Sequence, residues 1–244
     1  MLNITDIYKA YLQKLNEENR INRYEDKEHW FHASSSGMCM RKIYYNSVEQ
    51  VESTPIDENT LRLFRLGDLV HNDIQDALTF HAEKEKVDVL IEEEIQIDDI
   101  NVRGFFDICI VDDDAMYDVK TCNSFKWKNL FGRTPDPEPA ENYALQLGTY
   151  AYWYQEKYGI KLKKLALIYY NKDNSLMREV NVPISFIDKA YEYWKDVNKR
   201  FEVGIPEVEL GTAPVYQWEC NEKYCGYFNH CGGGLKGQSK WSKR

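Results

Sequence analysis

The sequence lacks any apolar run long enough to cross a bilayer: its longest, such as Leu165 to Tyr170, fall far short of about 20 residues. Its opening, Met1-Leu2-Asn3-Ile4-Thr5-Asp6, lacks the basic stretch and apolar run of a secretory signal. These absences exclude a membrane partner and predict a reducing, cytoplasmic setting, in a microbial cell or an infected host cell. No internal repeat is visible, which excludes a repeat architecture. No linker divides the 244 residues, so one α/β domain over 1–231 is expected, with a basic tail at 232–244. Positive charge is also in deficit. Lys and Arg number 31 against 40 Asp and Glu, a net charge of −9. This balance argues against a protein that coats nucleic acid by bulk attraction. It leaves room for a carboxylate-rich metal site beside a local basic strip.

What the sequence does hold is clear periodicity. Ile7, Tyr8, Tyr11, Leu12 and Leu15 recur with a helical period over 3–16, and 17–29 read as charged and solvated. Ser34-Ser35-Ser36-Gly37 reads as a turn into a helix, with a serine as N-cap. A second long helix is predicted over 59–81 from Leu61, Phe64, Leu69, Ile74 and Leu78. From residue 87 the pattern alternates: Val87, Val89, Ile91, Ile95 and Ile97 predict a strand. Strands from Ile100 to Val111 and from Ala115 to Thr121 follow through acidic turns, as a meander. A proline-rich loop spans 132–139, and a helix runs from Ala140 to Tyr158, stopped by Gly159. Lys164–Asn171 and Leu176–Val182 predict a hairpin, and Ser185-Phe186-Ile187-Asp188 reads as a capping box opening a last helix to Val203.

Asp118-Val119-Lys120 lies in the third strand, where residues two apart share a face, so Asp118 and Lys120 project together. Asp107 lies in the neighbouring strand, and adjacent strands sit about 5 Å apart, so the two acids can share a cation. Hard oxygen ligands select Mg²⁺ or Mn²⁺. Such an ion activates water against a phosphodiester, and a lysine beside that water can orient or deprotonate it. The same residues also suit a surface salt bridge beside a turn, and Glu25-Asp26-Lys27 repeats the pattern in a charged segment. His71 interrupts a regular helix, as a structural histidine or a ligand. Glu93 occupies the apolar phase of the first strand, where a carboxylate needs a partner, a metal, or an exposed strand end. Gln146 and Tyr150 share one helix face with Tyr143 and Tyr154, as packing or as phosphate contacts.

Of six cysteines, Cys109 and Cys122 sit singly in strands. Cys220, Cys225 and Cys231 form a tight cluster, and Cys39 is the remaining thiol. In a reducing compartment this grouping points to metal rather than to disulfides. Zinc sites commonly use paired knuckles, which are missing here, and four thiolates also suit a [4Fe–4S] cluster. Both readings stay open on spacing alone.

The ordered set is more specific than its parts. Cys39 within His32-Ala33-Ser34-Ser35-Ser36-Gly37-Met38-Cys39-Met40-Arg41, then Gly67 with His71, Gly104-Phe105-Phe106-Asp107, Asp118-Val119-Lys120, Gln146 with Tyr150, and the late cysteines resemble one family. It is the RecB-like nucleases of the PD-(D/E)xK class with an iron–sulfur cluster, nearest to the CRISPR-associated single-domain exonucleases and their phage or viral relatives. The likeness runs from about residue 30 to 231. It implies a restriction-endonuclease-like α/β core, a central mixed sheet flanked by helices, with a four-cysteine subdomain joining 30–50 to 205–231. It implies Mg²⁺ or Mn²⁺ on His71, Asp107, Asp118 and the Val119 carbonyl, with Glu93 a further candidate, and Lys120 as the catalytic lysine. Gln146, Tyr150 and Arg41 would contact DNA. Cys39, Cys220, Cys225 and Cys231 would ligate [4Fe–4S], or structural Zn²⁺ in its place. The implied activity is hydrolysis of single-stranded DNA from the 5′ end, beside a recombination or integration protein. One departure stands out: the family often has two residues between its second and third cysteines, and here four residues separate Cys220 from Cys225. The alternative is a catalytically silent adaptor that docks a recombinase or integrase, or binds DNA without cutting. The intact Asp107, Asp118 and Lys120 argue against it, since a silent copy is free to lose them.

Overall fold

The structure, a computed structural model, describes residues 2–24, 30–133, 140–206, 220 and 222–231. The elements are α1 (Ile4–Tyr24), β1 (Phe31–His32), α2 (Met40–Ser47), α3 (Glu58–Glu85), β2 (Val89–Ile97), β3 (Val102–Ile110) and β4 (Ala115–Cys122). They continue as α4 (Ser124–Phe131), α5 (Glu141–Tyr158), β5 (Lys164–Asn171), β6 (Met177–Val182) and α6 (Phe186–Glu202). The six strands make one mixed sheet. β2, β3 and β4 form the predicted antiparallel meander. β5 then joins β4 in parallel and pairs antiparallel with β6. No helix among the described residues is long and apolar enough to cross a membrane.

Helices cover both faces of the sheet. Leu147, Tyr150, Ala151 and Tyr154 of α5 pack into one core with Ile95, Phe106, Cys109, Met116, Leu165 and Leu167 of the strands. α6 packs along α5, where Trp194 Nε1 donates to Thr149 Oγ1 (2.9 Å) and the Trp194 ring stacks on Phe31. α3 lies on the opposite face. Its Gly67 stands against Thr121, whose side chain points away from that of Lys120. The Asp57 carboxylate starts α3 by accepting from the Asn59 and Thr60 amides, and Gly159 stops α5 at a left-handed φ of 69°.

β2 and β3 depart from simple alternation at one place. Phe106 and Cys109, an odd number of residues apart, share the core cluster, so β3 turns over between them. Leu90 packs against the same core as Ile95, so β2 turns over as well. The register pairs Ile91 with Ile108 and Glu93 with Phe106, and skips Glu92 and Asp107. Glu92 adopts a φ of 53° there, a rare conformation for a side-chain-bearing residue inside a strand.

Several local expectations need correction. α1 extends beyond residue 16 to Tyr24, because nothing in 17–24 breaks a helix, while 25–29 lie outside the described residues. No serine caps α2: Ser35 and Ser36 bond back to the His32 and Ala33 carbonyls, and Cys39 takes the N-cap position. Ser185 caps nothing, because a tighter turn begins at Pro183 and already holds Ser185 in helical geometry. α4 is an element that periodicity did not announce. Phe64 and Leu69, read as part of an apolar stripe, stay 55% and 49% exposed. Most of the proline-rich loop, 134–139, lies outside the described residues.

The α5–α6 contact has no spare room at Gly148, where a Cβ would fall 2.2 Å from the Phe186 carbonyl oxygen. Gly148→Ala is therefore expected to destabilise by about 1–3 kcal/mol or more, seen as a lower thermal midpoint. Gly67→Ala, with its nearest atom at 3.8 Å, is expected to be neutral or stabilising.

Candidate active site

β3 and β4 pair only from Ile108↔Tyr117 to Ile110↔Ala115. Beyond that point β4 continues along β5 to Cys122 while β3 leaves it. Asp107 sits in the opening. Its Oδ2 accepts from the Val119 amide at 2.6 Å, which replaces a ladder bond with a side chain. His71, arriving from α3, brings Nδ1 to 3.4 Å from the same oxygen. Glu92 closes the group: one ligand atom from each of His71, Glu92 and Asp107 lies within 4.8 Å of the others. Gln75, buried on α3, donates to Glu92 Oε1 (2.7 Å) and holds it there. Glu93, the acid that alternation pointed to, is outside this group, because the strand turns over at its neighbour.

Asp118 is 1% exposed and ion-paired with Lys120 at 2.5 Å. Beyond this close charge pair, neither carboxylate oxygen has a hydrogen-bond partner among the described residues. Burial pushes Asp118 up to about 6; Lys120 opposes the shift and Asp107 adds to it. Burial also draws Lys120 down, yet the charges of Asp118 and Asp107 outweigh it and keep the ammonium protonated. The same contest at His71 ends above its ordinary value, since the Asp107 contact and both carboxylate charges overcome burial. Gln146 Oε1 accepts from Lys120 Nζ (3.0 Å), and Gln146 Nε2 donates to the Tyr150 hydroxyl (2.9 Å). A Cβ at Gly104 would stand 3.2 Å from the Tyr150 ring, so this glycine makes room for it. Gln146 and Tyr150 are both buried, and together they brace Lys120. The acidic donor set, with two carboxylate oxygens of Asp118 that lack a hydrogen bond among the described residues and an imidazole close by, fits a hard divalent cation.

An open cavity of about 1490 Å³ begins at His71 and Glu92. Trp30, Phe64, Arg65 and Arg103 also line it.

The architecture has a known counterpart. This chain is similar to the solved structure of SSO0001, with a TM-score of 0.56 and 19% identity, covering 94% of this chain and 98% of that one. The likeness is one of fold. Lower similarity links it to an alkaline exonuclease, LHK-Exo, from Laribacter hongkongensis: TM-score 0.47, 12% identity, 72% of this chain and 90% of that one. LHK-Exo in complex with dAMP gives 0.48 and 11% over the same shares. No family model matches the chain, and no curated protein matches it.

The cysteines lie elsewhere. The segment 222–231 packs on α2 and the chain after it: Thr54 N–H donates to the Gly226 carbonyl (2.9 Å), and Tyr45 meets His230 edge-on at 4.8 Å. Burial raises the Cys225 thiol, and Cys39 and Cys220 add to the shift. Arg41 turns into this region, with Nη1 3.4 Å from Cys231 Sγ and Nε bonded to the Pro206 carbonyl (2.8 Å). Arg41, a candidate DNA contact, thus lies at the cysteine-bearing end. Glu92 and Gln75 escaped the sequence reading; an acid beside the expected one was the only signal.

Asp118 ionises in the folded chain near 6 and in the unfolded chain near 3.8. A raised carboxylate value means a stability loss that sets in above the unfolded value and is complete above the folded one. Metal-free wild type should therefore lose stability relative to Asp118→Asn between about pH 4 and 6. At neutral pH the variant should melt higher in chelator, and Mn²⁺ should raise the midpoint of wild type only. A variant melting no higher than wild type there would show that the carboxylate carries no such penalty.

Proposed function

We propose that this chain hydrolyses phosphodiester bonds in DNA with a divalent cation, Mg²⁺ or Mn²⁺. One observation carries the reading: Asp118, 1% exposed and with no hydrogen bond to either oxygen among the described residues, stands beside Lys120 and the His71–Glu92–Asp107 group. His71, Asp107, Asp118 and the Val119 carbonyl would hold the ion, with Glu92 added to the set. When bound, such an ion neutralises the scissile phosphate and lowers the pKa of a coordinated water. Lys120, fixed between Asp118 and Gln146, presents an ammonium that orients the attacking water. Gln146 and Tyr150 keep that ammonium in register with the acids.

The substrate is single-stranded DNA. Arg65 and Arg103 offer phosphate contacts along the cavity, and Trp30 and Phe64 offer faces on which bases stack. Cutting from the 5′ end, and work beside a recombination or integration protein in the cytoplasm, follow from the resemblance noted in the sequence. Cys39, Cys220, Cys225 and Cys231 hold a [4Fe–4S] cluster that ties the two ends of the chain together. Its support is the packing of 222–231 on α2 and the absence of paired zinc knuckles. Metal binding there is part of the folding free energy.

End-labelled single strands incubated with Mn²⁺ test the activity. Wild type is expected to shorten them, and Lys120→Ala to lose roughly 100-fold or more. Equal rates would leave a cysteine-stapled adaptor instead. Purified protein is expected to be brown with visible absorbance that Cys220→Ala loses; colourless protein containing stoichiometric zinc would replace the cluster with Zn²⁺.

A further inference from the structure

Two lysines flank the ring of Tyr143, and among the described residues only one of them has a counter-ion. Lys120 Nζ lies 4.9 Å from the ring centroid and is paired with Asp118. Lys126 Nζ lies 4.4 Å from it and donates to the Tyr143 hydroxyl at 3.3 Å. Among the described residues Lys126 meets no carboxylate, in a chain with 40 acidic residues. Its position is fixed. α4 is anchored by Trp127 and Leu130, and its first amides are taken by Asn123 (Lys126 N, 2.9 Å) and Asp173 (Ser124 N, 2.7 Å). Lys126 Nζ also stands 5.7 Å from the ring of Tyr169, the β5 neighbour of Lys120. The Tyr169 hydroxyl is buried and has no hydrogen-bond partner among the described residues. Among the described residues, an ammonium without an acid, a phenol whose hydrogen is left to donate, and a second phenol without a partner thus gather on the far side of Lys120 from His71.

We infer that Lys126 and the Tyr143 hydroxyl bind a phosphate of the substrate strand, adjacent to the one at the carboxylate site. The inference rests on the nuclease reading and adds a second anchoring point to it. An ammonium and a phenol O–H converge here with no free carboxylate among the described residues, which suits an oxyanion and repels a metal cation. A phosphate held on this side fixes the strand's register, so that the neighbouring ester is presented to Lys120. A terminal 5′-phosphate and an internal phosphodiester share this chemistry.

The test is binding of a fluorescent single strand to the full chain, with Ca²⁺ replacing Mn²⁺ to suppress cutting, across a salt series. Lys126→Gln is expected to weaken binding on the order of tenfold. It should lower the slope of log affinity against log salt by about 0.7, the loss of one phosphate contact. Lys126→Arg should keep most of both, Tyr143→Phe should lose a smaller factor, and Lys128→Gln, exposed on the same helix, should match wild type. Strands with a 5′-phosphate and a 5′-hydroxyl separate the sources: a loss confined to the former marks a terminal site, and a loss on both marks an internal one. If Lys126→Gln melts early, the Arg and Phe variants decide the matter through the salt slope. Unchanged affinity and slope in a wild type that cuts DNA would overturn this inference alone. A wild type that neither binds nor cuts would take the nuclease reading with it.

Discussion

The hydrogen bond from the Val119 amide to Asp107 stands where a backbone ladder bond between β3 and β4 would otherwise form. By filling that place with a side chain, the sheet opens without leaving the amide unsatisfied, which matters because buried backbone donors are seldom left unpaired. Everything at the site depends on that opening. It lets His71 approach from the α3 face while Lys120 is braced from the α5 face, so two layers of the fold reach one point through the sheet. The turnover at Glu92 and Asp107 serves the same end from the β2 side, at the cost of a left-handed residue inside a strand. Strain of this kind persists only where the surroundings hold it, and Gln75 supplies that hold.

The electrostatics of the site are unbalanced by design of the fold. Asp107, Asp118 and Glu92 bring more negative charge than Lys120 and His71 return, and Asp118 is cut off from water. A buried charge without full compensation is expensive. The arrangement makes sense as a receptor for positive charge, and the buried Gln146–Tyr150 pair keeps Lys120 from collapsing away from it. The cysteine-bearing end is physically separate, packed on α2, and Arg41 belongs to that end.

Much of the site was readable because it obeys strict periods. Asp118 and Lys120 are two apart in a strand, and Gln146 and Tyr150 four apart in a helix, so each pair had to share a face. The glycine of Gly104-Phe105-Phe106-Asp107 proved to be room for Tyr150. What escaped did so for definite reasons. Alternation points to Glu93 because it takes the period of two as unbroken, and the period breaks at Glu92. α4 was missed because only its inward residues, Trp127, Leu130 and Phe131, mark a helix within eight residues. The serine caps failed because neighbouring turns had already claimed those residues.

The sequence by itself determined the order and type of most elements, the meander, and the local pairing of each functional side chain with its neighbours on the same strand or helix. These follow from short-range geometry, which a period of two or 3.6 residues expresses directly. Only the tertiary structure decided that β3 and β4 part at Asp107, that Glu92 joins His71 and Asp107 in one group, and that Arg41 turns to Cys231. Those outcomes depend on how three layers pack and on where a ladder can be interrupted while its amides stay bonded, and no local period encodes either.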